Sequence, residues 1–224
     1  MPNLDQPVPI ADYLSARRAM VENQIQTSSV TDVRLLKAFH GVPRECFVPE
    51  GRRELAYSDA HHPLGNGRIL PAPSVFARLV QLADIRDTDH VLDVGAASGY
   101  STAIIAAIAR KVVGWEPDAA LAAAALSTLA ELGIANATMV AGDGLAANFN
   151  GFDAIIVEGA VKQVPNDLLG RLALGGRLVC LLRQGPTGVA TVYTRAPEGV
   201  VSKSSFNATL PLMELAPTPE IFVF

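Results

Sequence analysis

Three short segments place acids and glycines where a polar ligand can be held. The first is Val91-Leu92-Asp93-Val94-Gly95-Ala96-Ala97-Ser98-Gly99. Its apolar start reads as a buried strand, and the apolar run at 100–109 reads as the helix that follows. Gly95 and Gly99 bracket the turn between them. Without a Cβ the backbone can pass close to a ligand, and the helix start offers unpaired N–H groups. Asp93 sets a carboxylate just before that turn, which suits a ligand amine. In the second segment, Val112-Val113-Gly114-Trp115-Glu116-Pro117, Glu116 stands 23 residues after Asp93 (116 − 93) at a second strand end. A carboxylate there can accept both hydroxyls of a ribose. The third segment, 137–141, closes on Gly142-Asp143-Gly144. In an open parallel sheet such strand ends converge on one crevice.

The spacing discriminates among ligands. A dinucleotide site needs Gly-x-Gly-x-x-Gly, and the middle glycine is Ala97 here. A P-loop needs Gly-Lys-Ser/Thr, which the chain lacks. The ordered trio resembles the S-adenosylmethionine (SAM) site of class I methyltransferases. That resemblance implies SAM as cofactor, with Asp93, Gly95, Ala96, Ser98 and Gly99 around the methionine part. It implies Glu116, beside Pro117, on the ribose. Asp143 would face the adenine amino group, with Gly142 and Gly144 giving access. Trp115 either packs or flanks the adenosine.

These segments need a scaffold. Strands and helices alternate over 90–182, the signature of a parallel sheet. Strands are expected at 152–157 and 176–182, and strand-like segments at 189–194, 200–209 and 221–224. Upstream, residues 1–9 read as a loose arm and 10–27 as a helix. Thr31 is a candidate cap for a helix over 32–39, and 52–56 reads as a short helix. Residues 57–72 look like loop, and Pro73 suits the first turn of a helix through Leu82. The expected organisation is an N-terminal arm and helical segment at 1–60, then the ligand-binding domain at 61–224.

Half of the 224 residues are hydrophobic and 18% are charged, so a packed α/β globule is expected. The longest uncharged apolar stretch, 119–130, is too short to cross a bilayer, and no secretory signal pattern opens the chain. A cytoplasmic location with no membrane partner follows as an expectation. Net charge is −4 with no basic block, which argues against nucleic acid as partner. Cys46 and Cys180 have no metal-ligand spacing partner, and His61-His62 stands without a supporting cluster, so no metal is expected. Oligomeric state stays open between monomer and homodimer.

A second constellation points to one family. Val42-Pro43-Arg44-Glu45-Cys46-Phe47-Val48-Pro49, Ala56-Tyr57-Ser58-Asp59 and Gly65-Asn66-Gly67 resemble the N-terminal third of protein-L-isoaspartate O-methyltransferases. Phe152-Asp153-Ala154-Ile155-Ile156-Val157, Val164-Pro165 and Leu174-Gly175-Gly176-Arg177-Leu178-Val179 are similar to that family's fourth and fifth strands. The resemblance implies a seven-stranded, mostly parallel Rossmann-like sheet flanked by helices. It implies methyl transfer from SAM to isoaspartyl carboxylates in damaged proteins, with a protein or peptide as partner. One segment departs. Where the family carries Gln-Thr-Ile-Ser-Gln-Pro, this chain has Arg68-Ile69-Leu70-Pro71-Ala72-Pro73, so the hydroxyls lining the acceptor site are replaced by Ile69 and Pro71. Glu158 stands where the family has a small residue or Thr.

A carboxylate acceptor, with a pKa near ~4, is already ionised at neutral pH and needs no general base. It needs alignment. Each lost donor to a charged group is worth roughly 1.5–3 kcal/mol, so the substitutions are expected to slow isoaspartyl methylation. Arg68 is the candidate catalytic residue, gripping a carboxylate with its fork of donors. It is equally readable as an ion-pair partner of Glu158 or as a surface residue. Two rival functions stand beside the first: methylation of a different acceptor, and SAM binding without turnover.

Overall fold

The structure is a computed structural model that describes residues 10–142, 149–183, 185–213 and 215. Its centre is a seven-stranded sheet in the order β5-β4-β3-β6-β7-β8-β9. The strands are β3 (His90–Val94), β4 (Lys111–Glu116), β5 (Ala137–Ala141), β6 (Phe152–Val161), β7 (Leu172–Arg183), β8 (Gly188–Ala196) and β9 (Gly199–Ala208). The first five of these in chain order run parallel, and β8 and β9 close the far edge antiparallel. This is the α/β class and the mostly parallel seven-stranded sheet expected from the sequence.

Alternation along the strands splits the core in two. Val91, Ala154, Ile156, Val179 and Leu181 face one side with the N-terminal helices. Leu92, Val94, Ile155, Val157, Leu178 and Cys180 face the other. The first face carries α1 (Ile10–Met20), α2 (Val33–Gly41), α3 (Pro73–Leu82) and α4 (Tyr100–Ala106). Every residue of α4 is buried, because α2 and α3 cover it from outside. Tyr100 opens that helix among Phe39, Phe47 and Phe76, with ring centroids 5.5–6.3 Å apart. α5 (Ala119–Glu131) packs on the same side at the β5 edge, through Leu129, and α6 (Asn166–Gly170) on the opposite side, through Leu168.

Several local details differ from the sequence expectation. The first helix continues through a π turn at Val21–Ile25 and a 3-10 turn at Gln26–Ser28. The cap of α2 is Asp32, not Thr31: its carboxylate accepts from the N–H of Arg34 and Leu35. The short helix expected at 52–56 is a 3-10 helix at Glu50–Leu55. The expected loop at 57–72 contains an antiparallel hairpin, β1 (His62–Gly65) with β2 (Arg68–Leu70). Gly65, Asn66 and Gly67 all take left-handed φ values (96°, 49° and 72°), which turns the chain back within three residues. The expected strand at 221–224 lies outside the described residues. Among the described residues no helix is long and apolar enough to cross a membrane.

A buried cation anchors the hairpin. Arg44 is fully buried, donates Nε to the Ala56 carbonyl (2.7 Å) and a terminal nitrogen to the Pro71 carbonyl (2.5 Å), and stacks 4.7 Å from the Tyr100 ring centroid. The family-like Val-Pro-Arg-Glu segment thereby fixes the chain that follows β2 to the first turn of α4.

Candidate active site

The carboxyl ends of β3, β4 and β6 meet where the strand order reverses, since β4 and β5 lie on one side of β3 and β6 and β7 on the other. A crevice at that switch point is the usual ligand position in such sheets. The glycine turn lies across it. Gly95 and Ala96 donate their N–H groups to the Trp115 carbonyl (2.8 and 3.0 Å), which ties the turn to β4. Gly95 and Gly99 take φ of 81° and 86°, and Ala97 is itself left-handed at 48°. That strained alanine aims its N–H at Glu116 Oε2, 2.8 Å away. A Cβ at Gly99 would lie 2.9 Å from the Cβ of Ala125, so this glycine also lets α5 pack closely.

Three acids stand along the crevice. Glu116 is fully buried at the end of β4. Its Oε1 accepts the Asp118 N–H (3.1 Å). Its Oε2 accepts Ala97 N–H and a terminal guanidinium nitrogen of Arg68 at 2.7 Å. Asp93 is equally buried on β3; its Oδ2 accepts the hydroxyls of Ser101 and Thr102, both at 2.6 Å, and its Oδ1 meets no nitrogen or hydroxyl donor. Glu158 is 7% exposed, and the partner of its carboxyl is the Asp93 carboxyl, with which it forms a side-chain hydrogen bond. Burial, then the neighbouring Asp93 carboxylate, hold the Glu158 carboxyl well above the usual glutamate range. Burial also lifts Asp93 to about 6, opposed by the hydroxyls of Ser101 and Thr102. The two groups share a proton, and it sits on Glu158 because the hydroxyl donors favour the ionised form of Asp93.

Arg68 pairs with Glu116, not with Glu158, which corrects the ion pair considered from sequence. The physical reason is the surroundings of the two acids: Glu116 Oε2 lies 2.7 Å from the guanidinium, whereas the Glu158 carboxyl is engaged with Asp93. Arg68 also donates to the Gly95 carbonyl (2.8 Å), and its Nε is buried without a partner. It is therefore no surface residue; its side chain is 19% exposed.

A strap at 210–213 completes the crevice. Ala160 N–H donates to the Pro211 carbonyl (2.9 Å) and Met213 N–H to the Ala160 carbonyl (2.7 Å). A Cβ on Gly95 would lie 2.3 Å from Met213 Cε, and one on Gly159 would lie 3.0 Å from Met213 Cβ. Both glycines thus admit the strap. Gly67, Arg68, Ile69, Glu158 and residues 211–213 surround a cavity of about 20 Å³, room for roughly one water.

Of the candidates read from sequence, the structure brings Arg68, Asp93, Gly95, Ala96, Gly99 and Glu116 to one place. Ser98 joins them with a buried hydroxyl that has no partner. Ile69 lines the small cavity, while Pro71 is buried with its carbonyl committed to Arg44. Pro117 is exposed just beyond β4. Gly142 follows β5, and its carbonyl accepts from Trp115 Nε1 at 2.6 Å. Trp115 itself is buried in the second core face. Asp143 and Gly144 lie outside the described residues. Ser101, Thr102 and Met213 escaped the sequence reading. The two hydroxyls were detectable, since positions 8 and 9 residues after Asp93 fall on the first turn of the next helix. Met213 gave no signal. Among the described residues no group of three or more His, Cys, Asp or Glu side chains could hold a metal ion.

Comparison with known proteins now adds to this geometry. Residues 15–211 match the family model described as protein-L-isoaspartate(D-aspartate) O-methyltransferase (PCMT). The chain is 39% identical over 187 residues to protein-L-isoaspartate O-methyltransferase 2 of Anaeromyxobacter sp. (strain Fw109-5), covering 83% of this chain and 72% of that one. It is 35% identical over 211 residues to the Synechococcus sp. (strain JA-2-3B'a(2-13)) protein-L-isoaspartate O-methyltransferase, covering 90% and 86%. In fold it is similar to a Plasmodium falciparum protein-L-isoaspartate O-methyltransferase structure in complex with S-adenosyl-L-homocysteine. That match has a TM-score of 0.77 at 21% identity, covering 89% of this chain and 99% of the other. With its family model spanning most of its length, the chain belongs to the protein-L-isoaspartate(D-aspartate) O-methyltransferase family.

Proposed function

We propose that this chain transfers a methyl group from SAM to the carboxylate of isoaspartyl residues in cytoplasmic proteins and peptides. The observation that carries the reading is the buried Glu116 carboxylate at the end of β4, facing the Gly95 turn at the sheet's switch point. The residues present fit the cofactor. The Ser98 hydroxyl is a buried polar atom without a partner, and Asp93 Oδ1 meets no nitrogen or hydroxyl donor, only the neighbouring Glu158 carboxyl, as a ligand's carboxylate and amine require. Glu116 would accept the ribose hydroxyls, and the methionine part would approach the backbone at Gly95 once Met213 and the Arg68 guanidinium, which fill the space beside that glycine, move aside. Asp143 and Gly144 would border the adenine.

When bound, SAM supplies an electrophilic methyl group: a C–O bond forms to the acceptor as the C–S bond breaks, and that electron pair stays on sulfur. The chain's own work is binding, alignment and exclusion of water. The acceptor carboxylate arrives ionised, so no side chain has to remove a proton from it. Arg68 stands at the cavity with an unpartnered Nε–H, a donor for one carboxylate oxygen. Ile69 and the strap at 211–213 cover the remaining wall with apolar surface, which strengthens each hydrogen bond made there.

The test is radiolabelled methyl transfer to an isoaspartyl peptide beside its normal aspartyl twin. Label on the isoaspartyl peptide alone is expected. Label on neither peptide, with S-adenosylhomocysteine still binding, refutes the acceptor assignment. Calorimetric binding of NADH but not of SAM refutes the cofactor.

A further inference from the structure

We propose that the chain carries its own occupant of the cofactor site. The Met213 side chain and the Arg68 guanidinium hold the places that the methionine part and the ribose of SAM or S-adenosylhomocysteine would take, so both ligands bind in competition with the strap and the hairpin. The inference rests on the cofactor proposed above and concerns how that same site is entered.

Position carries the argument. Gly95 belongs to the turn at the sheet's switch point, where a backbone without Cβ can be approached closely. A Cβ there would lie 2.3 Å from Met213 Cε, 3.1 Å from Met213 Sδ and 2.8 Å from a terminal nitrogen of Arg68. A thioether and a guanidinium of this chain therefore cover the open face of that glycine. The ligand expected on it is a methionine derivative, and Met213 offers the same flexible, polarizable thioether. The same Arg68 nitrogen meets the Gly95 carbonyl at 2.8 Å and Glu116 Oε2 at 2.7 Å. It spans from the glycine turn to the acid expected to hold the ribose. Between hairpin and strap about 20 Å³ is left, room for roughly one water, so neither ligand fits beside the two side chains.

Both occupants are delivered by fastened elements. The hairpin that carries Arg68 is tied at its tip, where Asn66 Nδ2 donates to the Asp118 carboxylate at 2.8 Å; Asp118 caps α5 just past Glu116. The strap is bonded on both sides of Leu212 to Ala160, at 2.9 and 2.7 Å. Upstream of it His61, whose Nδ1 accepts the Ala72 N–H, donates Nε2–H to the Thr209 carbonyl at 3.2 Å. Beyond it Leu215 is buried in the second core face. Met213 is thus aimed at one glycine from a strap anchored at both ends.

The two contacts differ in kind. Arg68 and Glu116 attract through charge, whereas Met213 contributes packing and apolar burial. A ligand that binds only the opened arrangement has its affinity lowered in proportion to the fraction of opened molecules. The competition acts on S-adenosylhomocysteine as on SAM, so the return of the strap also favours release of the spent cofactor.

The experiment uses S-adenosylhomocysteine as the probe. In the wild-type chain with methyl-labelled methionine, a nuclear Overhauser contact between the Met213 methyl and the Gly95 α protons is expected before the probe is added and lost at saturation. Met20, fully buried among the N-terminal helices, should keep its contacts. By calorimetry Met213→Ala should bind the probe about tenfold more tightly than wild type, because the ligand no longer displaces a buried apolar group. Absence of the Met213–Gly95 contact in the free chain, its survival at saturation, or equal or weaker binding by Met213→Ala overturns the inference while leaving the cofactor standing. The wild-type spectrum decides even if the variant fails to fold. A wild-type chain that binds neither SAM nor S-adenosylhomocysteine overturns the cofactor reading, and this inference with it.

Discussion

Replacing Arg68 by methionine isolates the ion pair that occupies Glu116. A carboxylate offers about four lone-pair positions. In this structure three are taken: Asp118 N–H on Oε1, and Ala97 N–H and Arg68 on Oε2. Two ribose hydroxyls need two positions, and one is left. The backbone donors are fixed by the turn and by the cap of α5, so Arg68 is the donor that must yield. A hydrogen bond to a charged group is worth roughly 1.5–3 kcal/mol. The lower end applies, because the Arg68 side chain is 19% exposed and finds water on release. At about 1.4 kcal/mol per decade, Arg68→Met should tighten S-adenosylhomocysteine binding by roughly tenfold. Isothermal calorimetry measures this directly. Raising salt should narrow the gap between wild type and variant, since a partly exposed pair is screened. The same variant should be less stable, by about 1–3 kcal/mol, because Glu116 stays buried with one donor fewer. It should also raise the KM for the isoaspartyl peptide. Unchanged or weaker S-adenosylhomocysteine binding would mean that Arg68 does not compete for Glu116, and the lone-pair count would be the wrong argument.

Other outcomes follow from the same geometry. Cys180 is buried with its thiol pushed up to about 12, while Cys46 is exposed; a thiol reagent should titrate one group in the native chain and two after denaturation. Unfolding free energy should fall with pH above the ordinary glutamate value of 4.5, where the native chain keeps the Glu158 proton and the unfolded chain has lost it. The slope is about 1.4 kcal/mol per pH unit for one retained proton, and beyond about pH 6, where Asp93 has ionised, the remaining fall belongs to Glu158. Denaturant melts of Glu158→Gln should lack that slope; an identical pH dependence in both proteins contradicts a retained proton. Restoring family residues with Arg68→Gln, Ile69→Thr and Pro71→Ser should raise kcat/KM on the isoaspartyl peptide about tenfold.

The sheet was legible because its signals are local and repeated. Apolar runs ending in Gly or an acid recur at β3, β4 and β5, and β6 and β7 carry the same period. Each signal needs only a window of a few residues. The N-terminal expectation was weaker for the opposite reason. The helix beginning at Ile10 passes into π and 3-10 turns because Val21 and Ile25 must both reach the core, and tertiary packing decides that. The hairpin at 62–70 resembled a loop because its strands are three and four residues long. Its order comes from Arg44, which holds the Pro71 carbonyl from 27 positions earlier in the chain.

The site shows where local reading stops. Glu116 and Asp93 stood out because a strand end and a glycine turn mark them, and both lie in the crevice. Arg68 and Glu158 stood out only as departures from a family pattern. A pattern names an unusual residue but not its partner. Pairing them with each other was reasonable on charge alone, since a buried arginine needs an anion. The structure decides otherwise through protonation. Ser101 and Thr102 hold the charge on Asp93, Asp93 keeps the proton on Glu158, and a neutral Glu158 cannot compete with Glu116 for the guanidinium. That chain of cause runs across β3, α4, β6, β4 and β2. Each link is an ordinary hydrogen bond or charge contact. Their order is fixed only once the sheet sets five separate segments side by side, so the two departures at Arg68 and Glu158 acquire separate partners: one meets Glu116, the other Asp93.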